Sequence, residues 1–214
     1  MQEFKREFIS LALQQNALRF GEFTLKSGRR SPYFFNSALF NSGTTLWRLA
    51  CAYAEAIVAN GVSFDMLYGP AYKGIPLATA VAIAFARQHG RDIPCAYNRK
   101  EEKDHGEGGI VMGAPLDGRV LIIDDVITAG TSVNESVRII RAAGATPAGV
   151  AIALDRQERG QSGRSAVQEV EQVHGIPVIS IINLGEIIGF LEFRGDAQDN
   201  LQAIRDYRAE FGTS

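Results

Sequence analysis

The sequence predicts an α/β fold: a mostly parallel, twisted sheet flanked by helices, with a small N-terminal hood of helix plus hairpin. From Phe64 onward, short apolar runs alternate with segments of helical spacing, the rhythm of strand, crossover helix and parallel strand. Val120-Leu121-Ile122-Ile123 is apolar without alternation, as a strand buried on both faces requires. That run stops at Asp124-Asp125. Two adjacent carboxylates do not sit unpaired in a core, so they mark the strand's carboxyl end, where open α/β sheets bind ligands.

The elements follow in order. Glu3 to Gln15 places Phe4, Phe8, Leu11 and Ala12 on one face, an amphipathic helix. Phe23–Lys26, the turn Ser27–Ser31 and Pro32–Asn36 form a hairpin. Leu46 to Asn60 is a helix with Gly61 just past its end. Strands are expected at Met66–Tyr68, Pro94–Tyr97, Val120–Asp124, Gly149–Leu154 and Val178–Ile182, with helices at Gly74–Gln88, Thr131–Ala143 and Ser165–Val173. Asp196 to Phe211 closes the chain as another amphipathic helix. All 214 residues are read as one domain, with a hood at 1–40, a core sheet at 62–185 and a lid loop at 98–113.

Composition narrows the function classes. The chain is 46% apolar and 21% charged, with a net charge of −2, which argues against a nucleic-acid coat. Cys51 and Cys95 form no metal or redox motif and read as structural thiols in a reducing compartment. The N-terminus carries no apolar signal region, and the longest apolar stretch, Ile75 to Ala86, is too short to span a bilayer. A cytoplasmic protein is expected.

The chemistry concentrates in loops. After Asp124-Asp125, the small residues Thr128, Ala129, Gly130, Thr131 and Ser132 lead into a helix. A helix start of this kind leaves N–H groups free for a phosphate, and the helix dipole favours the anion. Carboxylates for vicinal hydroxyls beside an anion nest fit ribose 5-phosphate. Gly69-Pro70-Ala71-Tyr72-Lys73-Gly74 also joins a strand to a helix. It lacks the spacing of a Walker loop but suits a second anion. Asn98 to Gly113, NRKEEKDHGEGGIVMG, has no apolar periodicity. It is read as an unstructured loop that closes over the site, with Gly106, Gly108 and Gly109 as its hinge.

The acidic pair and small-residue turn resemble the 5-phosphoribosyl 1-diphosphate (PRPP) signature of the type I phosphoribosyltransferase family. FTLKSGRRSPYFFN, GPAYKGIP, NRKEEKDHGEGG, DDVITAGTS and LDRQERG are similar, in order and spacing, to its bacterial, orotate-using branch. The resemblance covers essentially the whole chain. It implies transfer of a 5-phosphoribosyl group from PRPP to orotate, giving orotidine 5′-monophosphate and pyrophosphate. It also implies a homodimer in which each lid serves the neighbouring subunit, Mg²⁺ held mainly by PRPP and water, and no nucleic-acid or membrane partner.

The implied roles fall on particular residues. Lys26, Lys73, Lys103, Asp124 and Asp125 would be catalytic. PRPP would be held by Lys26, Tyr72, Lys73, Arg99, Lys100, Lys103 and His105. Asp124, Asp125, Val126, Ile127, Thr128, Ala129, Gly130, Thr131 and Ser132 would cradle its ribose phosphate. Orotate would meet Lys26, Thr128, Arg156 and a slot formed by Phe34 and Phe35. A flat anion suits aromatic rings and a guanidinium. A phosphoribosyltransferase for another base, and a non-catalytic PRPP-sensing regulator, stay open as alternatives. The regulator would need an added basic DNA-binding module, for which this chain shows no helix-turn-helix candidate outside the core.

Overall fold

The computed structural model describes residues 1–25, 27–103, 109–160, 162–195 and 198–213, with the backbone alone at 102 and 103. Helix α1 (Glu3–Gln14) leads into strands β1 (Leu18–Thr24) and β2 (Arg30–Phe35), which pair antiparallel. A single 3-10 turn, Ser37–Leu39, connects them to α2 (Gly43–Asn60). The main sheet then forms from β3 (Met66–Gly69), β4 (Cys95–Lys103), β5 (Gly109–Gly113), β6 (Arg119–Ile123), β7 (Thr146–Asp155) and β8 (Val178–Asn183). Its order is β5-β4-β3-β6-β7-β8, and every neighbouring pair is parallel except β4–β5. Helices α3 (Gly74–Gln88), α4 (Thr131–Ala142), α5 (Ala166–His174), α6 (Leu184–Arg194) and α7 (Gln198–Phe211) complete the chain.

The two-residue period of a strand sends alternate side chains to opposite faces, and here it builds two cores. Leu67, Leu121, Ile123, Ala151 and Ala153 join α1, α2, α3, α6 and α7 on one side. Met66, Tyr68, Val120, Ile122, Val150 and Ile152 meet Val133, Val137 and Ile140 of α4 on the other. Both faces of β6 are therefore buried, as its unbroken apolar run requires. The parallel register Met66↔Val120, Leu67↔Leu121, Tyr68↔Ile122 brings the carboxyl ends of β3 and β6 side by side.

The expected alternation of strands and helices stands, with two differences. Residues 98–113 are not an unstructured loop at both flanks. β4 runs on to Lys103 and β5 returns antiparallel, pairing Ala96↔Gly113, Tyr97↔Met112, Asn98↔Val111 and Lys103↔Gly109. An edge ladder needs only backbone partners, so a charged sequence does not forbid it. The supposed hinge residues Gly106 and Gly108 lie outside the described residues.

Helix α6 was not anticipated. Its start is a capping box in which the Asn183 side chain accepts from the Glu186 N–H and Glu186 accepts from the Asn183 N–H, both at 2.9 Å. Glu186 also takes Lys5 of α1 at 2.7 Å, tying the N-terminal helix to the first turn of α6. Asn183→Ala should cost about 1 kcal/mol and lower the melting temperature by roughly 2–4 °C. Thermal denaturation followed by circular dichroism checks this.

Candidate active site

Three loops meet at the carboxyl edge of the sheet. The β6 loop carries Asp124 and Asp125, 8% and 6% exposed. The Tyr53 hydroxyl of α2 donates to the main-chain oxygen of Asp124 at 2.7 Å. Asp124 Oδ1 accepts the Asp125 N–H at 2.9 Å. Asp125 Oδ1 accepts the Val126 N–H at 2.9 Å, while its Oδ2 takes both the Ser37 hydroxyl and Lys73 Nζ at 2.7 Å. Burial, and next the neighbouring charge of Asp125, push the Asp124 carboxyl up to about 6.

Past the acids the loop is built for an anion. Ile127 is buried in the core around α4, and Val126 packs against the opposite core, so these two offer main chain rather than side chain to a ligand. Thr128 and Ala129 are exposed. Gly130, at φ 70°, precedes the first turn of α4 and supplies no side-chain cap, which leaves first-turn N–H groups for a bound anion.

The β3 loop folds back on itself. A Cβ on Gly69 would lie 2.2 Å from the carbonyl oxygen of Gly74. One on Gly74 would lie 2.5 Å from Pro70 Cδ and 2.9 Å from the Ile123 carbonyl oxygen. Only glycine permits this approach. The Ala71–Tyr72 peptide is cis, and the Ala71 N–H donates to Asn98 Oδ1 of β4 at 3.0 Å. Tyr72 is 67% exposed, with Lys100 Nζ 4.8 Å from its ring centroid. Lys73 reaches from this loop to Asp125, so the two anion-seeking loops are joined by an ion pair.

The third loop follows β7. Arg156 lies half under the hood, its guanidinium 4.3 Å from the Tyr33 ring centroid and its Nη2 3.2 Å from Ser31 Oγ. Glu158 accepts from its Nε at 2.8 Å. Burial pushes the Tyr33 pKa well up, which keeps its hydroxyl a donor.

The expected residues fare unequally. Lys73, Tyr72, Asp124, Asp125, the Thr128–Ser132 turn and Arg156 all follow or border the carboxyl ends of β3, β6 and β7. Lys26 and His105 lie outside the described residues, and Lys103 is described in backbone only. Arg99 is partly buried, and its Nη1 has no partner among the described residues.

The two-ring slot needs correction. Adjacent strand residues face opposite ways, so Phe35 packs into the core against Phe8 and Phe40, whereas Phe34 stacks on Phe23 at 5.5 Å. Their side chains cannot flank one ligand. Sequence reasoning also missed Ser37, Tyr53, Asn98 and Glu158. Each is an isolated residue whose contact depends on a distant element, and only Glu158, alternating with Arg156 inside LDRQERG, left a local signal.

The raised Asp124 pKa has a signed consequence. Its folded value exceeds the unfolded one, so its stabilising contribution is complete below about pH 4 and is lost as pH rises through about 6. Asp124→Asn escapes that penalty. It should be more stable than the parent by about 1–3 kcal/mol at pH 7.5 and equal to it at about pH 3.5. Urea denaturation at the two pH values measures the difference.

Known proteins match this architecture along its length. The phosphoribosyl transferase domain family matches residues 43–180. An orotate phosphoribosyltransferase of Thioalkalivibrio sulfidiphilus is 61% identical over 212 residues, covering 99% of this chain and 100% of the relative. One from Chromobacterium violaceum is 60% identical, with 99% of each chain covered. The crystal structure of a Francisella tularensis orotate phosphoribosyltransferase superposes with a TM-score of 0.88 at 41% identity, covering 97% of this chain and 100% of that one. With identity this high over nearly every residue, the chain belongs to the phosphoribosyltransferase family, among its orotate phosphoribosyltransferases.

Proposed function

We propose that the protein transfers the 5-phosphoribosyl group of PRPP to orotate, giving orotidine 5′-monophosphate and pyrophosphate for pyrimidine biosynthesis. The observation that carries this reading is the ion pair between Lys73 and Asp125 at 2.7 Å. It joins a loop suited to a diphosphate with a loop suited to a ribose and its 5-phosphate. The C1 position of PRPP, which lies between those groups, then falls where β3 and β6 end together.

The chemistry follows from what the loops can hold. A ring nitrogen of orotate attacks the anomeric carbon and loses its proton. The C–N bond forms as the C–O bond breaks, and diphosphate leaves with the electron pair and with inversion. The transition state is oxocarbenium-like, as in glycosyl transfer generally. Asp124 and Asp125 accept the ribose hydroxyls, and the N-terminus of α4 takes the 5-phosphate. Lys73 and the β3 loop stabilise charge on the leaving group. These are effects of positioning and preorganised electrostatics, with no covalent nucleophile required.

Mg²⁺ belongs to the proposal as the counter-ion of the diphosphate, where it supplies charge neutralisation. Among the described residues no three His, Cys, Asp or Glu groups converge, so no protein cage for it is proposed. Residues 98–113 are the candidate lid, with Arg99, Lys100, Lys103 and His105 serving the site of a second subunit in a homodimer. A cytoplasmic location is part of the same reading. No helix among the described residues is long and apolar enough to cross a membrane.

The test is loss of orotate absorbance with PRPP and Mg²⁺, each omitted in turn. Loss only with all three present supports the reading. No loss while PRPP binding persists in calorimetry turns it toward another base or a PRPP sensor. Lys103→Ala should cut turnover roughly 10²–10³-fold, the scale of one preorganised stabiliser. Mixing it with Asp125→Asn subunits should restore part of the activity if the lid serves the neighbouring site. Verified mixed dimers with no recovery would refute that arrangement.

A further inference from the structure

Arg156 and Glu158 are brought together by an unusual residue between them. Gln157 has φ 51°, in the left-handed region that side chains rarely adopt. The chain doubles back there, and Glu158 Oε1 accepts from Arg156 Nε at 2.8 Å and Nη2 at 2.5 Å. The two side chains are only 13% and 15% exposed.

Further contacts fix both partners. The Tyr33 hydroxyl donates to Glu158 Oε1 at 3.4 Å, and Tyr33 itself is fully buried with its ring against the guanidinium. Nη2 also donates to Ser31 Oγ, which in turn donates to the Tyr33 carbonyl at 2.7 Å. Nε and Nη2 are thus committed to the protein. Nη1 is the edge that neither Glu158 nor Ser31 occupies.

The turn is braced from behind by the end of the chain. The Gln157 carbonyl accepts the Thr213 N–H at 2.8 Å and its hydroxyl at 3.2 Å. The Gln157 side-chain oxygen accepts the Gly185 N–H at 3.1 Å. The Arg159 N–H donates to the Phe211 carbonyl at 2.8 Å. Tyr207 of α7 packs edge-on against Tyr33, ring centroids 6.2 Å apart.

An arginine side chain is long, and holding it in one rotamer requires fixed partners. We propose that Glu158 is a positioning residue for base recognition: it holds Arg156 in the one orientation that presents the Nη1 edge to the base. This rests on the reading that Arg156 meets orotate, and Glu158 acts through Arg156. Its negative charge compensates a guanidinium held largely out of water, while its reach sets the direction of that edge.

Two conservative variants separate reach from charge. Glu158→Gln keeps the acceptor oxygen in place without the charge. Glu158→Asp keeps the charge but withdraws the acceptor. Steady-state kinetics with each substrate varied, beside a thermal melt of each variant, should show Glu158→Asp raising KM for orotate roughly tenfold. That is the scale of a lost charge-assisted hydrogen bond. KM for PRPP should stay within about twofold, since only base recognition is disturbed. Glu158→Gln, which loses the charge but keeps an acceptor oxygen in place, should raise KM for orotate less than Glu158→Asp does and leave KM for PRPP within about twofold.

An unchanged KM for orotate in Glu158→Asp overturns the proposal. So does a Glu158→Gln enzyme as impaired as Glu158→Asp. A fall in kcat with both KM values unchanged also overturns it, because that pattern reports only a smaller folded fraction. A parent enzyme that consumes no orotate with PRPP brings down the functional reading and this proposal with it. Parent turnover with KM for orotate flat across the variants brings down this proposal alone.

Discussion

The parallel register of β3 and β6 is the constraint on which the rest of the site depends. Each strand is short and, apart from Arg119, buried, and each pairs to neighbours on both sides. Their lateral offset is therefore set by backbone hydrogen bonds and by packing into two cores at once. A slip of one residue would exchange the side chains of the two faces, placing Leu121 where Ile122 belongs. With the register fixed, the β3 loop and the acidic pair end level, and Lys73 lies within reach of Asp125. The site hangs on the buried centre of the sheet.

The acidic pair shows how the fold tolerates charge at its centre. Asp125 has a lysine, a serine hydroxyl and a backbone N–H, whereas Asp124 has the Asp125 N–H and the Ser132 side chain, with its main chain held by Tyr53. The environments of the two carboxyls are thus unequal. Asp124 carries the electrostatic cost, visible as a carboxyl titrating near 6. Binding a polyol such as ribose would give that carboxylate hydrogen-bond donors that the protein alone provides sparingly.

Much of this was legible in the sequence because it is local. The apolar run Val120–Ile123, the break at Asp124 and the small residues before α4 are contiguous, and their meaning follows from strand burial and helix-end chemistry. The β3 loop was readable for the same reason, though its glycines explain themselves only once Gly69 and Gly74 are seen in contact. What escaped was non-local or short of apolar pattern. The outer half of β4 is charged and pairs with β5 through backbone, so its pattern says little about it, and β5 offers only Ile110 and Val111 to the core between two glycines. The Phe34-Phe35 pair looked like one feature in the sequence, and strand alternation divided it between two environments. Helix α6 is apolar nearly all round, which blurs its period, and its capping box was the better signal.

The bracing of the Arg156–Glu158 turn by Phe211 and Thr213 bears on how the molecule is made. The half of the site built on β3 and β6 draws on residues before about position 135, all of which are made before the Arg156–Glu158 turn. The Arg156–Glu158 half waits for α7 to dock against Tyr33 and for Thr213 to bond Gln157. At roughly 5–20 residues per second, a nascent chain spends several seconds with the older half translated and the younger half unfinished. The two halves of the site are thus separated in the order of synthesis, although both lie along the carboxyl edge of one sheet.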